Sequence, residues 1–352
     1  MSFASRESRT AAWLGHDGAM EIAAVRWGIL ATGRIAHSFA ADLAEVPGAS
    51  LVAVGSRSAE SASALAAAHG SEGCRAHASY EALVADDAVD VVYVASPHSH
   101  HLEHARLALE AGKHVLCEKP LTLNLAEAEQ LVALARQHDR FLMEAMWTAC
   151  HPVVRAVVDG LLAGRFGTPR QVHADLGFVV ESAADDRIRD PALGAGALLD
   201  MGIYPLTFAD LVLGPAISLA ATAVLDERGV DVDVAVAGLH QGGAVSALTA
   251  SMTSVSPRTA SVATDRGRID LPSGFHHPAY AVWTPLEGEP ERIVGKTPVL
   301  GSGLGNEAAE VARCLADGLR ESPWVPHEQT LRLMAQLDDV RRQVGVSYPA
   351  DG

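Results

Sequence analysis

Residues 91–124 read VVYVASPHSHHLEHARLALEAGKHVLCEKPLTLN: an apolar run, a stretch of helical period, a second apolar run, and then Glu118, Lys119 and Pro120. The two apolar runs are continuous rather than alternating, which is what a strand covered on both faces of a parallel sheet requires. Strand, helix and strand in succession make a βαβ unit. The charges and the proline at its end pose a question. Either Lys119 belongs to a solvated strand end, or it is held where open α/β sheets bind their ligands, at the carboxyl ends of strands.

The same pattern extends in both directions. Strand candidates are VRWGILA (25–31), SLVAVGS (50–56), VDVVYVAS (89–96), KHVLCE (113–118) and RFLMEAM (140–146). Helix candidates lie near residues 34–45, 59–69, 100–111 and 124–138, so the first part reads as a doubly wound parallel sheet. After a helix HPVVRAVVDGLLAGRFG, expected to run to Gly167, the character changes. RQVHADLGFVV, ISLAATAVLDE, VDVAVAGLH, AVSALTASM and TASVATD follow closely, with GG, SP and DRGR turn signals, and predict a large open mixed or antiparallel sheet. One helix, GALLDMGIYPLTFADLVLG, interrupts it, and helices within 303–322 and 327–345 close the chain. The expected organisation is α/β: an N-terminal arm over 1–22, with Met20 as an alternative start; a Rossmann dinucleotide-binding domain over 23–148; and an α/β substrate-binding and oligomerisation domain over 149–352.

The first strand runs into GILATGRIAHSFA (28–40), where a dinucleotide site expects G-x-G-x-x-G/A. Thr32, Gly33, Arg34 and Ile35 occupy the turn, and Ala36 allows close packing of helix on strand. Ala31 replaces the first glycine. A left-handed Ala costs about 1 kcal/mol, so the expectation is an altered turn or a negative φ. The second strand ends in Ser56, Arg57 and Ser58 with no carboxylate. An acidic residue there binds the ribose 2′-hydroxyl of NAD, whereas arginine accommodates the 2′-phosphate of NADP. NADP is therefore the expected cofactor, with NAD the alternative and a solvated loop arginine the bland reading of Arg57.

Composition narrows the function. The chain has 352 residues, 49% hydrophobic and 20% charged, with a formal net charge of -16. That balance offers no clustered Lys/Arg for nucleic-acid phosphates. Four cysteines without CxxC spacing suggest neither a disulfide framework nor a thiolate zinc site, and fit a reducing cytoplasm. No uninterrupted apolar run reaches the roughly 20 residues of a membrane span. No secretory core is visible in the first residues.

With its Glu118-Lys119-Pro120 motif after a fifth strand, the chain resembles the glucose-fructose oxidoreductase / inositol dehydrogenase (Gfo/Idh/MocA) family over essentially Arg26 to Pro349. MEAMWTACHP (143–152) is most similar to the branch of dimeric dihydrodiol dehydrogenases and NADP-dependent xylose dehydrogenases. The resemblance implies that Lys119 works beside the nicotinamide, with a cis bond to Pro120 fitting a tight turn. GAGALLDMGIYPL (194–206) resembles the family's Asp-x-Gly-x-x-x segment ending in His or, in this branch, Tyr. It implies catalytic roles for Asp200 and Tyr204, whose spacing puts them on one face of a helix. A neighbouring lysine is expected to lower the Tyr204 pKa from about 10. Ser96, Pro97, His98, His101 and Glu118 join the expected cofactor contacts, although Glu118 could also pair locally. Trp147 is either a wall of the substrate pocket or core packing. Relatives often carry Arg where this chain has Ala149.

Within PHSHHLEHA (97–105), His100 and His104 have metal-ligand spacing on a helix. The family places a histidine at the position of His101 without metal, so no metal is expected. The reading is an NADP-dependent oxidoreductase acting on a secondary alcohol or hemiacetal carbon of a sugar or trans-diol. It is expected to form a homodimer or higher oligomer through the second sheet, without nucleic-acid or membrane partners. The alternatives are a non-catalytic nucleotide-binding sensor on the same fold and a metal-dependent hydrolase, which would need a fuller ligand set.

Overall fold

Six parallel strands, β1 (Val25–Leu30), β2 (Ala49–Gly55), β3 (Arg75–His77), β4 (Val91–Val94), β5 (His114–Glu118) and β6 (Leu142–Ala145), form a sheet of order β3-β2-β1-β4-β5-β6. The computed structural model describes residues 24–181 and 187–351, so the arm assigned to residues 1–22 lies outside the described residues. All five strands read from the sequence are present. The sixth, β3, is a three-residue edge strand without an apolar run, which is why periodicity misses it. The crossover helices are α1 (Arg34–Leu43), α2 (Ala59–His69), α3 (Tyr80–Val84), α4 (His101–Glu110) and α5 (Leu125–Gln137). Every residue of β4 is buried, and Phe39 of α1 stacks on Tyr93 of β4 at 3.8 Å between ring centroids. Strand order reverses between β1 and β4, the point where open sheets bind dinucleotides.

Two short helices lead out of this sheet, α6 (Trp147–Cys150) and α7 (Pro152–Leu162). The expected run to Gly167 is corrected here. α7 stops at Leu162 because Gly164, at φ +70°, reverses the chain. Eight strands follow: β7 (Pro169–Gly177), β8 (Ala216–Leu225), β9 (Asp231–His240), β10 (Val245–Ser251), β11 (Ala260–Thr264), β12 (Gly267–Leu271), β13 (Ala281–Pro285) and β14 (Glu291–Ile293). Their order is β14-β13-β12-β11-β7-β10-β9-β8, antiparallel except for the parallel pair β7 and β10. One face carries Val172, Leu176, Val236 and Leu248 against α8 (Ile203–Leu213). The other face is open, with small side chains such as Ala220, Ala237, Ala247 and Thr249.

The interrupting helix is not uniform. Leu198–Gly202 form a π-helical turn that leads into α8, so Asp200 sits on a π-turn and Tyr204 in the first turn of α8. The helix is thus not a regular α-helix across the two residues, yet both still face Lys119. Pro191–Leu213 is apolar enough to meet a membrane-span test, yet 83% of its apolar window is buried inside the protein, as in a core helix. The closing helices, α9 (Gly305–Ala316) and α10 (His327–Val344), pack back on α1, α5 and α6. Asp42 of α1 accepts hydrogen bonds from Ser302 N, Ser302 Oγ and Leu304 N at 2.8–2.9 Å. Thus the chain's last segment braces the first sheet as well as the second.

Candidate active site

The carboxyl edge of the first sheet collects Ala31, Thr32, Ser56, Ser96 and Lys119 beyond β1, β2, β4 and β5. Ala31 has φ +76° and its N–H donates to Gly55 O at 2.9 Å, so the glycine-type turn is kept although alanine occupies it. The expectation of a negative φ or an altered turn is therefore wrong. The backbone bond to β2 holds Ala31 in a conformation its Cβ disfavours. α1 starts after Gly33 with no side-chain cap and no acidic residue in its first turn. A Cβ on Gly33 would meet nothing within 4 Å. Uncapped amides beside open space, with the buried Ser96 Oγ lacking a partner among the described residues, fit a pyrophosphate. Thr32 Oγ1 and Ser56 Oγ lie 3.4 Å apart at the same edge. Ser58 Oγ accepts from Ser61 N to cap α2, while Arg57 is exposed beside the Tyr80 hydroxyl.

Lys119 follows β5 through a cis bond to Pro120. Its Nζ donates to Asp200 O at 2.9 Å and to Asp200 Oδ1 at 3.3 Å, and lies 5.1 Å from the Tyr204 ring centroid. The structure thus brings the sequence-derived trio together from both sheets. His98 and Arg187 also face Asp200 Oδ1, at 3.8 and 3.6 Å. Burial opposes ionisation of Asp200, but Lys119, Arg187 and His98 outweigh it and hold the carboxyl well below its usual range. Tyr204 behaves oppositely. Burial, then Glu118, Asp200, Glu307 and Glu144, push its hydroxyl well above 10. The expected lowering by Lys119 is corrected, because the ammonium is engaged by Asp200 and four carboxyl groups oppose formation of the phenolate.

Other expected contacts are placed differently. Glu118 accepts from the Tyr93 hydroxyl and from Lys119 N, a local pairing that occupies its carboxylate inside the domain. His101 is fully buried, with its ring nitrogens at 2.9 Å from Pro120 O and Ser96 O. Burial pushes it down to about 4 against those carbonyls, so at neutral pH it donates to only one of them. It staples the loop after β4 to the turn after β5 rather than offering a group to a cofactor. Pro97 precedes His98, whose Nδ1 lies 3.1 Å from Gly194 O; His98 thus belongs to the Asp200 cluster.

Sequence reasoning missed Arg187 and the loop between β12 and β13. In that loop His276 lies 4.9 Å from the Tyr204 ring and 5.6 Å from Trp147, and His277 stacks on Trp147 at 4.5 Å. Trp147 therefore borders the same space as Tyr204. Gly303 backs it, since a Cβ there would fall 2.5 Å from Trp147 Nε1. Ala149 is buried and presents no group to the cleft. The only sequence signal for this wall was FHHP (275–278), which carries no periodicity or ligand spacing.

His100, Glu103 and His104 place three ligand atoms within 4.8 Å of one another, so Glu103 supplies a carboxylate that the sequence reading had not paired with these histidines. They lie on and before α4, where His104 packs edge-on to Tyr80 at 4.6 Å, and take no part in the Lys119 cluster. A concavity of about 640 Å³ is also elsewhere. It lies on the open face of the second sheet, between His173, Thr222, Ala237 and Thr249.

Two family models match the chain. Residues 25–146 match an oxidoreductase family with an NAD-binding Rossmann fold, and residues 154–270 match the GFO/IDH/MocA C-terminal domain. Trans-1,2-dihydrobenzene-1,2-diol dehydrogenase of Danio rerio is 35% identical over 335 residues, covering 93% of this chain and 99% of that protein. The mouse (Mus musculus) enzyme is 35% identical over 342 residues, with the same two coverages. Among solved structures, a 3-ketoreductase from Actinomadura kijaniata in complex with NADP and TDP-benzene superposes with a TM-score of 0.80 at 29% identity, over 91% of this chain and 98% of its own. An aldose-aldose oxidoreductase from Caulobacter crescentus, at 22% identity, shares the fold with a TM-score of 0.82, over 91% of this chain and 97% of that one.

Proposed function

The chain belongs to the GFO/IDH/MocA oxidoreductase family, and on that premise we propose that it is an NADP-dependent oxidoreductase acting on a secondary alcohol or hemiacetal carbon of a sugar or trans-diol. The observation that carries the reading is the meeting of Lys119 from β5 with Asp200 and Tyr204 from the second sheet's helix. The NADP-bound 3-ketoreductase and the diol dehydrogenases support the cofactor and the substrate class. The pyrophosphate would lie on Thr32, Gly33, Arg34 and Ile35, the 2′-phosphate on Ser56, Arg57 and Ser58, and the nicotinamide end beside Ser96, Pro97 and Lys119. When bound, the nicotinamide supplies or accepts the hydride.

The chain's residues manage the proton. Tyr204 holds its proton at neutral pH and donates it to a carbonyl oxygen that is becoming an alkoxide. Lys119, oriented by Asp200, offers an ammonium hydrogen to the same oxygen and stabilises its charge. Arg187 and His98 keep Asp200 in place. In the oxidative direction Tyr204 must first lose a proton that its surroundings retain, so alcohol oxidation rises towards alkaline pH while carbonyl reduction does not.

Division at about residue 148 into a cofactor part and a substrate part goes with this assignment. The open sheet face, small and flat with exposed Ile217, Leu239 and Val245 at its rim, fits a second copy of the chain, giving a homodimer. Its four cysteines are free, which suits a reducing, cytoplasmic setting. The test is a panel of pentoses, hexoses, inositols and trans-diols, followed by absorbance of reduced cofactor with NADP and with NAD. Turnover by none of them with either cofactor sinks the proposal in favour of a non-catalytic binding protein.

A further inference from the structure

His276 stands in the loop joining β12 to β13, and the backbone around it is anchored on both sides. Thr148 Oγ1 donates to its carbonyl oxygen at 3.0 Å. Phe275 before it is fully buried and packs on Phe208 at 5.8 Å, and His277 after it stacks on Trp147 with only 4° between the ring planes. Gly274 and Phe275 both donate backbone hydrogen bonds to Arg258 O, at 2.9 and 3.1 Å. A backbone anchored in this way keeps the ring at the border of the cleft.

That ring borders the reaction centre. It lies 4.9 Å from the Tyr204 ring, and Lys119 Nζ lies 5.1 Å from Tyr204 on its own side. Three elements, the β12–β13 loop, α6 and α8, therefore contribute His276, Trp147 and Tyr204 to one space. Among the described residues neither nitrogen of His276 has a hydrogen-bond partner, and Nδ1 is enclosed. A half-buried imidazole without partners is costly unless something else satisfies it. A phenylalanine would fill the same volume without that cost.

We propose that His276 is a substrate-binding residue that hydrogen-bonds an oxygen on the carbon adjacent to the reacting one, so that the site selects vicinal oxygen pairs over isolated alcohols. This rests on the assignment of Tyr204 and Lys119 to the reacting oxygen. The two ring centroids stand 4.9 Å apart, close enough for neighbouring oxygens of one small substrate to meet both residues through hydrogen bonds of ordinary length. Burial, His277 and Lys119 push His276 down to about 3, so the imidazole is neutral. A neutral imidazole has one donor and one acceptor, which matches a hydroxyl and gives no advantage to an anion. The substrate class is thereby narrowed to uncharged polyols at this position, with a diol or a sugar ring as the unit recognised.

The test compares trans-cyclohexane-1,2-diol with cyclohexanol as substrates for the full-length enzyme with NADP. In His276→Phe, kcat/KM for the diol is expected to fall about 10- to 100-fold, chiefly through KM, which is the loss of one or two tenfold steps from a hydrogen bond. The slower rate with cyclohexanol is expected to fall much less than that with the diol, and NADP binding to be retained. His276→Gln, which keeps a donor and an acceptor, should restore part of the preference for the diol. A parallel fall on both alcohols in both variants assigns His276 a packing role and overturns the inference while leaving the oxidoreductase reading intact. Equal wild-type rates on the two alcohols overturn it as well. Turnover of neither alcohol by the wild type, nor of anything in the wider panel, removes the reading on which it rests.

Discussion

On the proposed assignment one residue, Arg57, carries the cofactor preference. With a formal net charge of -16, the chain's general field repels a 2′-phosphate, so selection must come from short-range contacts. Arg57 is exposed beside the Tyr80 hydroxyl, and an exposed guanidinium can pair with a phosphate and stack on an adenine. Arg57→Ala is expected to weaken NADP by roughly 10- to 100-fold and NAD far less, as measured by fluorescence titration of both. Equal weakening of the two cofactors would show that Arg57 does not read the phosphate. At this scale much was legible, because Lys119, Asp200 and Tyr204 sit in motifs whose residue types announce their chemistry. What was not legible depended on tertiary surroundings. The field at Tyr204 comes from Glu118, Asp200, Glu307 and Glu144, carboxyl groups spread over residues 118–307, and no local window contains them. Ala31 was misjudged for a related reason: a backbone bond to β2 outweighs its own preference.

Elements position the site through buried acids. Glu144 on β6 accepts from Leu121 N, just past the Lys119-Pro120 turn, and from Thr330 Oγ1 of α10, both at 3.0 Å. It thereby ties three elements together behind Lys119. Burial pushes its carboxyl up to about 7, from 4.5. Because the folded value is the higher one, the stability linked to this group is fully present below about pH 4.5 and is lost as pH rises through 7. Asp231, which accepts from Leu198 N at the start of the π-turn, is pushed to about 7 by burial and acts in the same sense. Glu144→Gln keeps an acceptor for Leu121 N and removes the titration. Its urea midpoint is expected to change less between pH 5 and pH 8 than that of the wild type, by up to about 3 kcal/mol in unfolding free energy. A wild-type midpoint that rises over that interval would contradict this. The regular elements were legible wherever apolar period and caps coincide, as in α5 and α10. The π-turn was not, because it keeps helical composition while adding a residue to the turn. The end of α7 was read late because an apolar residue, Phe166, follows Gly164 before the next glycine, Gly167.

At the scale of the whole molecule, the second sheet packs one face on α8 and leaves the other open. A homodimer through the open face predicts a particle of twice the chain mass by light scattering, and Ala247→Arg, at its centre, should give monomers that remain folded. A wild type that is monomeric at micromolar concentration would refute the interface. The two sheets could be read from the sequence, but β3 and the short strands β12, β13 and β14 were not named; the return of α9 and α10 onto the first sheet could not be read, since their packing partners lie far away in the chain. That return matters because it braces the turn that presents Lys119 to the other half of the molecule. The central claim is that Lys119 and Tyr204, delivered from different sheets, act on one oxygen as a unit. A double-mutant cycle of Lys119→Met and Tyr204→Phe tests it most directly, with kcat measured for each variant and NADP binding measured alongside. Each single variant is expected to lose about 10²-fold or more in kcat with NADP affinity retained, and the double variant to lose no more than the worse single one. Near wild-type turnover in Tyr204→Phe, or losses that multiply in the double variant, would contradict the account.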